Sequence, residues 1–111
     1  MNVGIFLYIV MDNFYSYILY SKKLDRFYIG STSLEADKRL ERHLNRYYGH
    51  TKFTAKADDW VLFFDIKCNS FSQAQKIEKH IKHMKSKTYI QNLKKYPEIS
   101  VKLLEKYKDK K

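Results

Sequence analysis

The sequence has little cysteine, proline or glycine and no long hydrophobic run. Its 111 residues include one cysteine, one proline and three glycines. Because Cys68 stands alone, an intrachain disulfide and a cluster of thiolate metal ligands are both excluded. A chain without disulfides suits the reducing environment of the cytosol, so we expect a cytoplasmic protein.

The amino-terminal segment MNVGIFLYIV, residues 1–10, is apolar but shorter than a bilayer-spanning helix. No basic region precedes it and no small-residue cleavage site follows it, so we expect neither a membrane anchor nor a secretion signal. We expect residues 1–12 to be an extension ahead of one folded domain over residues 13–108, with a basic tail at 109–111. Alternatively, GIFLYIV forms a strand or helix that adds to the core.

Positive charge is concentrated in the last third of the chain. The formal net charge is +10, and residues 71–111 carry 12 lysines and 4 acidic side chains. Residues 1–70 carry 10 basic and 8 acidic side chains. Such a field indicates a polyanionic partner, of which nucleic acid is favoured. A membrane partner is not expected, because the lysines of the last predicted helix do not face a strong Trp/Leu/Phe surface. The alternative is a lysine coat that only increases solubility.

Apolar patterns and turn residues predict a small α/β (α+β) domain in which helices surround a three-stranded sheet. Runs at residues 14–21 and 26–31 form a predicted β-hairpin with a four-residue turn. The nearly continuous apolar run Trp60–Cys68 is predicted to be the central strand. Helices are predicted over 34–47, over 70–85, from 86 or 87, and over 97–108 with Pro97 in the first turn. The element order is β-β-α-β-α-α-α.

The predicted hairpin is rich in tyrosine. A buried phenol needs a hydrogen-bond partner, so repeated tyrosines on paired strands indicate a surface with a function. Strand packing is the alternative for Tyr17 and Tyr28, because tyrosine has a high β propensity.

The second predicted helix contains a carboxylate on its apolar side. Glu78 projects into an arc formed by Phe71, Ala74, Ile77, Ile81 and Met84. Burying a carboxylate is costly unless it is paired or binds a cation. Glu78 is therefore either one partner of a buried ion pair or a metal ligand at the rim of a site.

The first predicted helix places a histidine and an arginine on its inner side. Arg39 and His43 are four residues apart and so lie on one side of the helix. The alternative for His43 is a hydrogen-bonded core residue. Together with Glu78, these groups offer a cation, a proton carrier and a hard oxygen ligand for Mg²⁺, which suffice for phosphodiester chemistry.

These residues resemble the motifs of the GIY-YIG endonuclease superfamily, in its small stand-alone bacterial form. The second name-giving tripeptide is intact, whereas the first is degenerate and keeps only its final tyrosine. Some relatives have a lysine directly after YIG, where this chain has Ser31. The matching segments are Tyr15-Ser16-Tyr17, Tyr28-Ile29-Gly30, Lys38-Arg39-Leu40-Glu41-Arg42-His43, and Ala74, Glu78, Ile81 and Lys82.

The resemblance implies a metal-dependent endonuclease that hydrolyses DNA. Tyr17 and Tyr28 would flank the attacking water, and the sequence leaves open which of them acts as the base. Arg39 would balance charge on the phosphoryl oxygens, and His43 would hydrogen-bond a tyrosine or the phosphate. Glu78 would hold a divalent cation, Mg²⁺ or Mn²⁺, and a single matching acid favours a one-metal mechanism.

Other residues are expected to support the site. Ile29 and Gly30 belong to the structural motif, and Gly30 is expected to let the backbone turn or the DNA approach closely. Phosphate contacts are expected from Lys38, Arg42, Arg46, Lys82, Lys85 and Lys87.

DNA is the expected partner, with targeting by a further protein left open. The runner-up function is a catalytically weak or inactive module that binds nucleic acid through the same basic face. The degenerate first tripeptide and the absent lysine after YIG support it.

Overall fold

The computed structural model describes residues 14–33 and 56–110, which form an antiparallel three-stranded sheet and three helices. The elements are β1 (Phe14–Ser21), β2 (Arg26–Thr32), β3 (Val61–Cys68), α1 (Phe71–Met84), α2 (Lys87–Lys95) and α3 (Pro97–Lys106). The predicted α+β class is confirmed. The predicted extension over residues 1–12 and the predicted helix over 34–47 lie outside the described residues. None of the three helices is long and apolar enough to cross a bilayer.

The predicted hairpin is present, with β1 and β2 joined through residues 22–25. Asp25 closes the turn in the left-handed region, with φ 49°. Asp59 holds the turn from outside, because its carboxylate accepts from Ser21 Oγ at 2.6 Å and from the backbone N–H of Lys23 at 2.9 Å. These hydrogen bonds, the one from Ser21 foremost, lower the pKa of Asp59.

The prediction that the Trp60–Cys68 run is the central strand is wrong. Among residues 14–33 and 56–110 the sheet order is β2-β1-β3, so β1 is central there and pairs antiparallel with both neighbours. Part of the apolar run, Phe63 and Phe64, is explained by a bulge at Phe63, between the pairs Ile18↔Phe64 and Leu19↔Leu62. Because a bulge interrupts alternation, Phe63 and Phe64 both pack against the core under the helices.

The core lies between one face of the sheet and the three helices. Serine caps begin two of these helices: Ser70 accepts from the backbone N–H of Gln73, and Ser86 accepts from that of Tyr89. Pro97 occupies the first turn of α3, as predicted. The buried members of the core are Ile18, Ile66, Cys68, Ala74, Ile77, Ile81, Ile90, Leu93 and Leu103.

The apolar arc predicted on α1 is confirmed in its middle and wrong at its end. Ala74, Ile77 and Ile81 are buried, but Met84 is 43% exposed. The helix ends there, because Lys85 adopts a left-handed conformation. The predicted arc did not include Gln73, which is nevertheless buried, with 1% of its surface exposed.

Gln73 is buried because both ends of its amide have backbone partners. Its Oε1 accepts from the N–H of Asn69 at 2.7 Å, and its Nε2 donates to the carbonyl of Leu104 at 2.9 Å. We expect Gln73→Leu to lower the free energy of unfolding by about 2 kcal/mol, because it leaves both backbone groups without partners. Urea denaturation measures this, with Gln75→Leu on the exposed side of α1 as the matched control. Equal effects of the two substitutions would contradict the structural role of Gln73.

Candidate active site

Tyr17 and Tyr28 lie together on the face of the sheet opposite α1, α2 and α3. Tyr17 pairs with Gly30 and Leu19 pairs with Tyr28 across the hairpin, and cross-strand partners share a face. The two phenol rings are 6.4 Å apart between centroids and tilted by 37°. Tyr17 is 6% exposed and Tyr28 is half-buried. The paired phenols expected from the sequence are therefore neighbours in the fold.

Gly30 makes this arrangement possible by lacking a side chain. A Cβ atom on Gly30 would lie 2.5 Å from Oη and 2.6 Å from Cζ of Tyr17, so the tyrosine ring occupies that space. The expectation that Gly30 lets the backbone turn is wrong, because β2 continues to Thr32 and Gly30 does not have a positive φ. The glycine permits a close approach by Tyr17.

Glu78 reaches β2 from the helix-covered face. Ser31 Oγ donates to Oε1 of Glu78 at 2.6 Å, and Lys82 Nζ donates to Oε2 at 2.6 Å. The Glu78 side chain is 18% exposed, so its carboxylate lies at the rim of the core. The packing of α1 on the sheet sets this position, since Ser16 Oγ donates to the carbonyl of Ala74 at 2.6 Å. Glu78 thus has an ion-pair partner in Lys82, in a partly exposed rather than a buried pair, and its role as a metal ligand stays a prediction.

The two groups of residues meet at β2. Gly30, under the ring of Tyr17, is followed directly by Ser31, which holds Glu78. Within residues 14–33 and 56–110, β2 pairs only with β1 and is therefore an edge of the sheet. This edge strand therefore carries residues of both groups, one on each face.

Comparison with protein families shows which family the chain belongs to. The model of the GIY-YIG catalytic domain matches residues 13–96. The chain belongs to the GIY-YIG family. No curated protein and no solved structure matches it. Membership supports a nuclease-type fold that acts on DNA, and GIY-YIG nucleases are generally dependent on a divalent metal.

The residues of this GIY-YIG domain fit a weakly held, hard cation. No group of three or more histidine, cysteine or acidic side chains in the described part of the chain is placed to bind a metal. Mg²⁺ does not require such a cage, because it keeps several waters and is held by one or two carboxylates plus substrate phosphates. The single carboxylate of Glu78, fixed at one oxygen by Ser31, supplies that kind of ligand.

The structure describes some of the other predicted site residues, and the rest lie outside its described part. Lys38, Arg39, Arg42, His43 and Arg46 lie outside the described residues. Lys85 is exposed at the carboxyl end of α1, and Ile29 packs against the core.

Lys87 binds the hairpin turn. Its Nζ donates to the carbonyl and to Oδ2 of Asp25, both at 3.0 Å. Tyr20 Oη donates to Oδ1 of the same carboxylate at 2.7 Å. The hydrogen bond from Tyr20, with those from Lys87, lowers the pKa of Asp25, and the bond to Asp25 raises the pKa of Tyr20. Lys87 thus ties α2 to the hairpin, and its role at phosphate stays a prediction.

Ser31 is a candidate site residue that the sequence motifs did not indicate. The alternation of side chains along a strand predicts the face on which Ser31 lies. Tyr28 and Gly30 share one face, and Ile29 and Ser31 share the other. Ser31 therefore faces the helices, where a carboxylate on the inner side of α1 can reach it.

Proposed function

We propose that this GIY-YIG domain is a metal-dependent endonuclease that hydrolyses phosphodiester bonds in DNA. One observation carries the proposal: the Glu78 carboxylate is held 2.6 Å from Ser31 on β2, the strand that also carries Tyr28. A hard oxygen ligand held on this strand, which carries Tyr28 on its other face, would serve the phosphate whose attacking water the phenols orient. Family membership supports the same chemistry.

The paired tyrosines would orient the attacking water and take up its proton. A phenol has an unperturbed pKa of about 10, so it is a weak base near neutrality unless nearby positive charge favours the phenolate. By resemblance, Arg39 would provide such charge and would balance the charge that develops on the phosphoryl oxygens. His43 would hydrogen-bond a tyrosine or the phosphate.

Glu78 would hold Mg²⁺ or Mn²⁺ as the single metal of the reaction. Bound there, the cation would supply Lewis-acid stabilisation of the departing 3′ oxygen. Ser31 would keep the carboxylate at the edge of β2. Exposed lysines on α1, among them Lys82 and Lys85, would bind flanking phosphates without reading sequence.

A binding module without strong catalysis is the second candidate function. The degenerate tripeptide Tyr15-Ser16-Tyr17 and the ammonium of Lys82 on the Glu78 carboxylate favour it. Either function acts on DNA, and the buried thiol of Cys68 suits a reducing cytoplasm.

A cleavage assay on labelled duplex, branched and single-stranded DNA tests the proposal. It compares the wild type in Mg²⁺, Mn²⁺ and EDTA with Tyr28→Phe and Tyr17→Phe, each of which removes one hydroxyl. We expect cutting that requires metal, and a loss of about 10²-fold or more in the variant that lacks the proton acceptor. Because both variants keep the aromatic ring, the larger loss identifies the base.

Binding measured alongside separates the two candidate functions. A folded wild type that does not cut, yet binds DNA with an affinity that falls steeply with salt, would support the binding module instead. Cutting that persists in EDTA, or that is unchanged in both variants, would contradict the proposed mechanism.

A further inference from the structure

The two oxygens of Glu78 have partners of different mobility. Oε1 accepts from Ser31, a short side chain on a paired strand that cannot move far. Oε2 accepts from Lys82, whose side chain is 52% exposed and one helical turn away. The first partner fixes the carboxylate, and the second can leave it.

A divalent cation bound by the Glu78 carboxylate would be repelled by the ammonium that already lies at Oε2. Two positive groups at hydrogen-bond distance from one oxygen repel each other strongly, more so at a partly buried carboxylate than in water. An exposed ion pair contributes little to stability, so Lys82 can be displaced at small cost. The Ser31 hydroxyl carries no charge and does not compete in this way.

We propose that Lys82 is a resident counter-ion that a divalent metal must displace from Glu78, and that the displaced ammonium then binds a phosphate of the DNA. The inference rests on the proposed function, because it requires Glu78 to be the metal ligand. Lys82 therefore weakens metal binding in the free protein. When metal and DNA are both present, it becomes a phosphate contact beside the site, so it makes metal binding and DNA binding depend on each other.

Lys79 provides a matched control on the same helix. It is exposed and directly follows Glu78, so its side chain leaves α1 about 100° away from that of Glu78. Replacing Lys79 by methionine removes the same charge from the same helix and leaves the pair of Lys82 with Glu78 in place.

Electron paramagnetic resonance of Mn²⁺, titrated into the full chain without DNA, tests the displacement. We expect Lys82→Met to lower the Kd for Mn²⁺ about fivefold, the loss of one competing surface ion pair. Lys79→Met should change the Kd by less than about twofold, as expected for an exposed charge that points away from Glu78 and is screened by salt. Glu78→Gln should abolish Mn²⁺ binding, so that added Mn²⁺ gives the full signal of the free ion. Thermal unfolding of each variant confirms that it is folded.

Salt-dependent DNA binding tests the second half of the inference. With phosphorothioate DNA to suppress cutting, Mn²⁺ should steepen the slope of log affinity against log salt by about one for the wild type. The slope for Lys82→Met should not steepen in this way. A slope that does not depend on metal in the wild type would overturn the phosphate contact.

Failure of the inference can be told apart from failure of the proposed function. If Glu78→Gln loses Mn²⁺ but Lys82→Met behaves like Lys79→Met, Glu78 remains the metal ligand and the displacement is overturned. If Glu78→Gln binds Mn²⁺ like the wild type, both the metal assignment and the displacement are overturned. Absence of Mn²⁺ binding in both the wild type and Lys82→Met would also overturn the displacement.

Discussion

Replacing Glu78 by glutamine is expected to abolish metal-dependent cleavage while leaving the fold intact. The amide keeps the shape of the side chain, and its oxygen can still accept from Ser31 Oγ. It lacks the negative charge that holds a divalent cation. Because Lewis-acid stabilisation contributes several kcal/mol, we expect kcat/KM to fall by about 10³-fold or more. Initial rates on the best substrate of the DNA panel measure the loss.

Glu105→Gln is the matched control for this prediction. Glu105 is an exposed acid on α3 that pairs with Lys108 at 2.8 Å, so the same charge is removed far from β2. Its cleavage rate should stay within about twofold of the wild type, as expected for an exposed ion pair. A Glu78→Gln protein that cuts at the wild-type rate would show that another residue holds the metal.

Local patterns predicted most of the described elements. Two apolar, tyrosine-rich runs joined by a four-residue polar link predicted the hairpin, and Ser70, Ser86 and Pro97 predicted the starts of the helices. These features depend on neighbours within a few residues along the chain. The sheet order depends instead on contacts between distant segments. The bulge at Phe63 places two consecutive apolar residues against the core, a pattern that is also typical of a central strand.

Features that depend on tertiary contacts could not be predicted from local sequence patterns. Gln73 is a polar residue of a type usually found at the surface. In the core its amide hydrogen-bonds to the carbonyl of Leu104 and the N–H of Asn69. The position of Glu78 could be predicted from helical period, but its partners could not. Ser31 reaches it across 47 residues of chain, and only the packing of α1 against β2 brings the two together.

The strand β2 explains how one short motif serves both faces of the sheet. Its side chains alternate between the two faces. Tyr28 and the space above Gly30 lie on the face of Tyr17. Ile29 and Ser31 lie on the other face, where Ile29 packs against the core and Ser31 contacts Glu78. The proposed site would depend on this alternation, because residues from the two faces would have to reach one ligand. The degenerate first tripeptide still supplies what this geometry requires, namely the ring of Tyr17.

Adding one methyl group at Gly30 is therefore expected to damage both stability and activity. In Gly30→Ala, the new Cβ would overlap Oη and Cζ of Tyr17, so the ring must move. Overpacking of a closely packed position costs about 3 kcal/mol in the free energy of unfolding at the upper end of its usual range. Because a misplacement of about 1 Å can cost 10²-fold in rate, we expect cleavage to fall by about that factor in protein that remains folded. Urea denaturation and initial rates measure the two effects.

The effect of Gly30→Ala should depend on the tyrosine ring itself. In a Tyr17→Leu background the ring is absent, so the added methyl group finds space and its cost in stability should fall below about 1 kcal/mol. A double-mutant cycle by urea denaturation gives this coupling, because the two residues are in contact. Additive effects would show instead that Gly30 is required for its own backbone, and Tyr17 would then lose its structural link to the YIG glycine. Strong coupling would mean that the glycine of the second tripeptide is needed to position the tyrosine of the first.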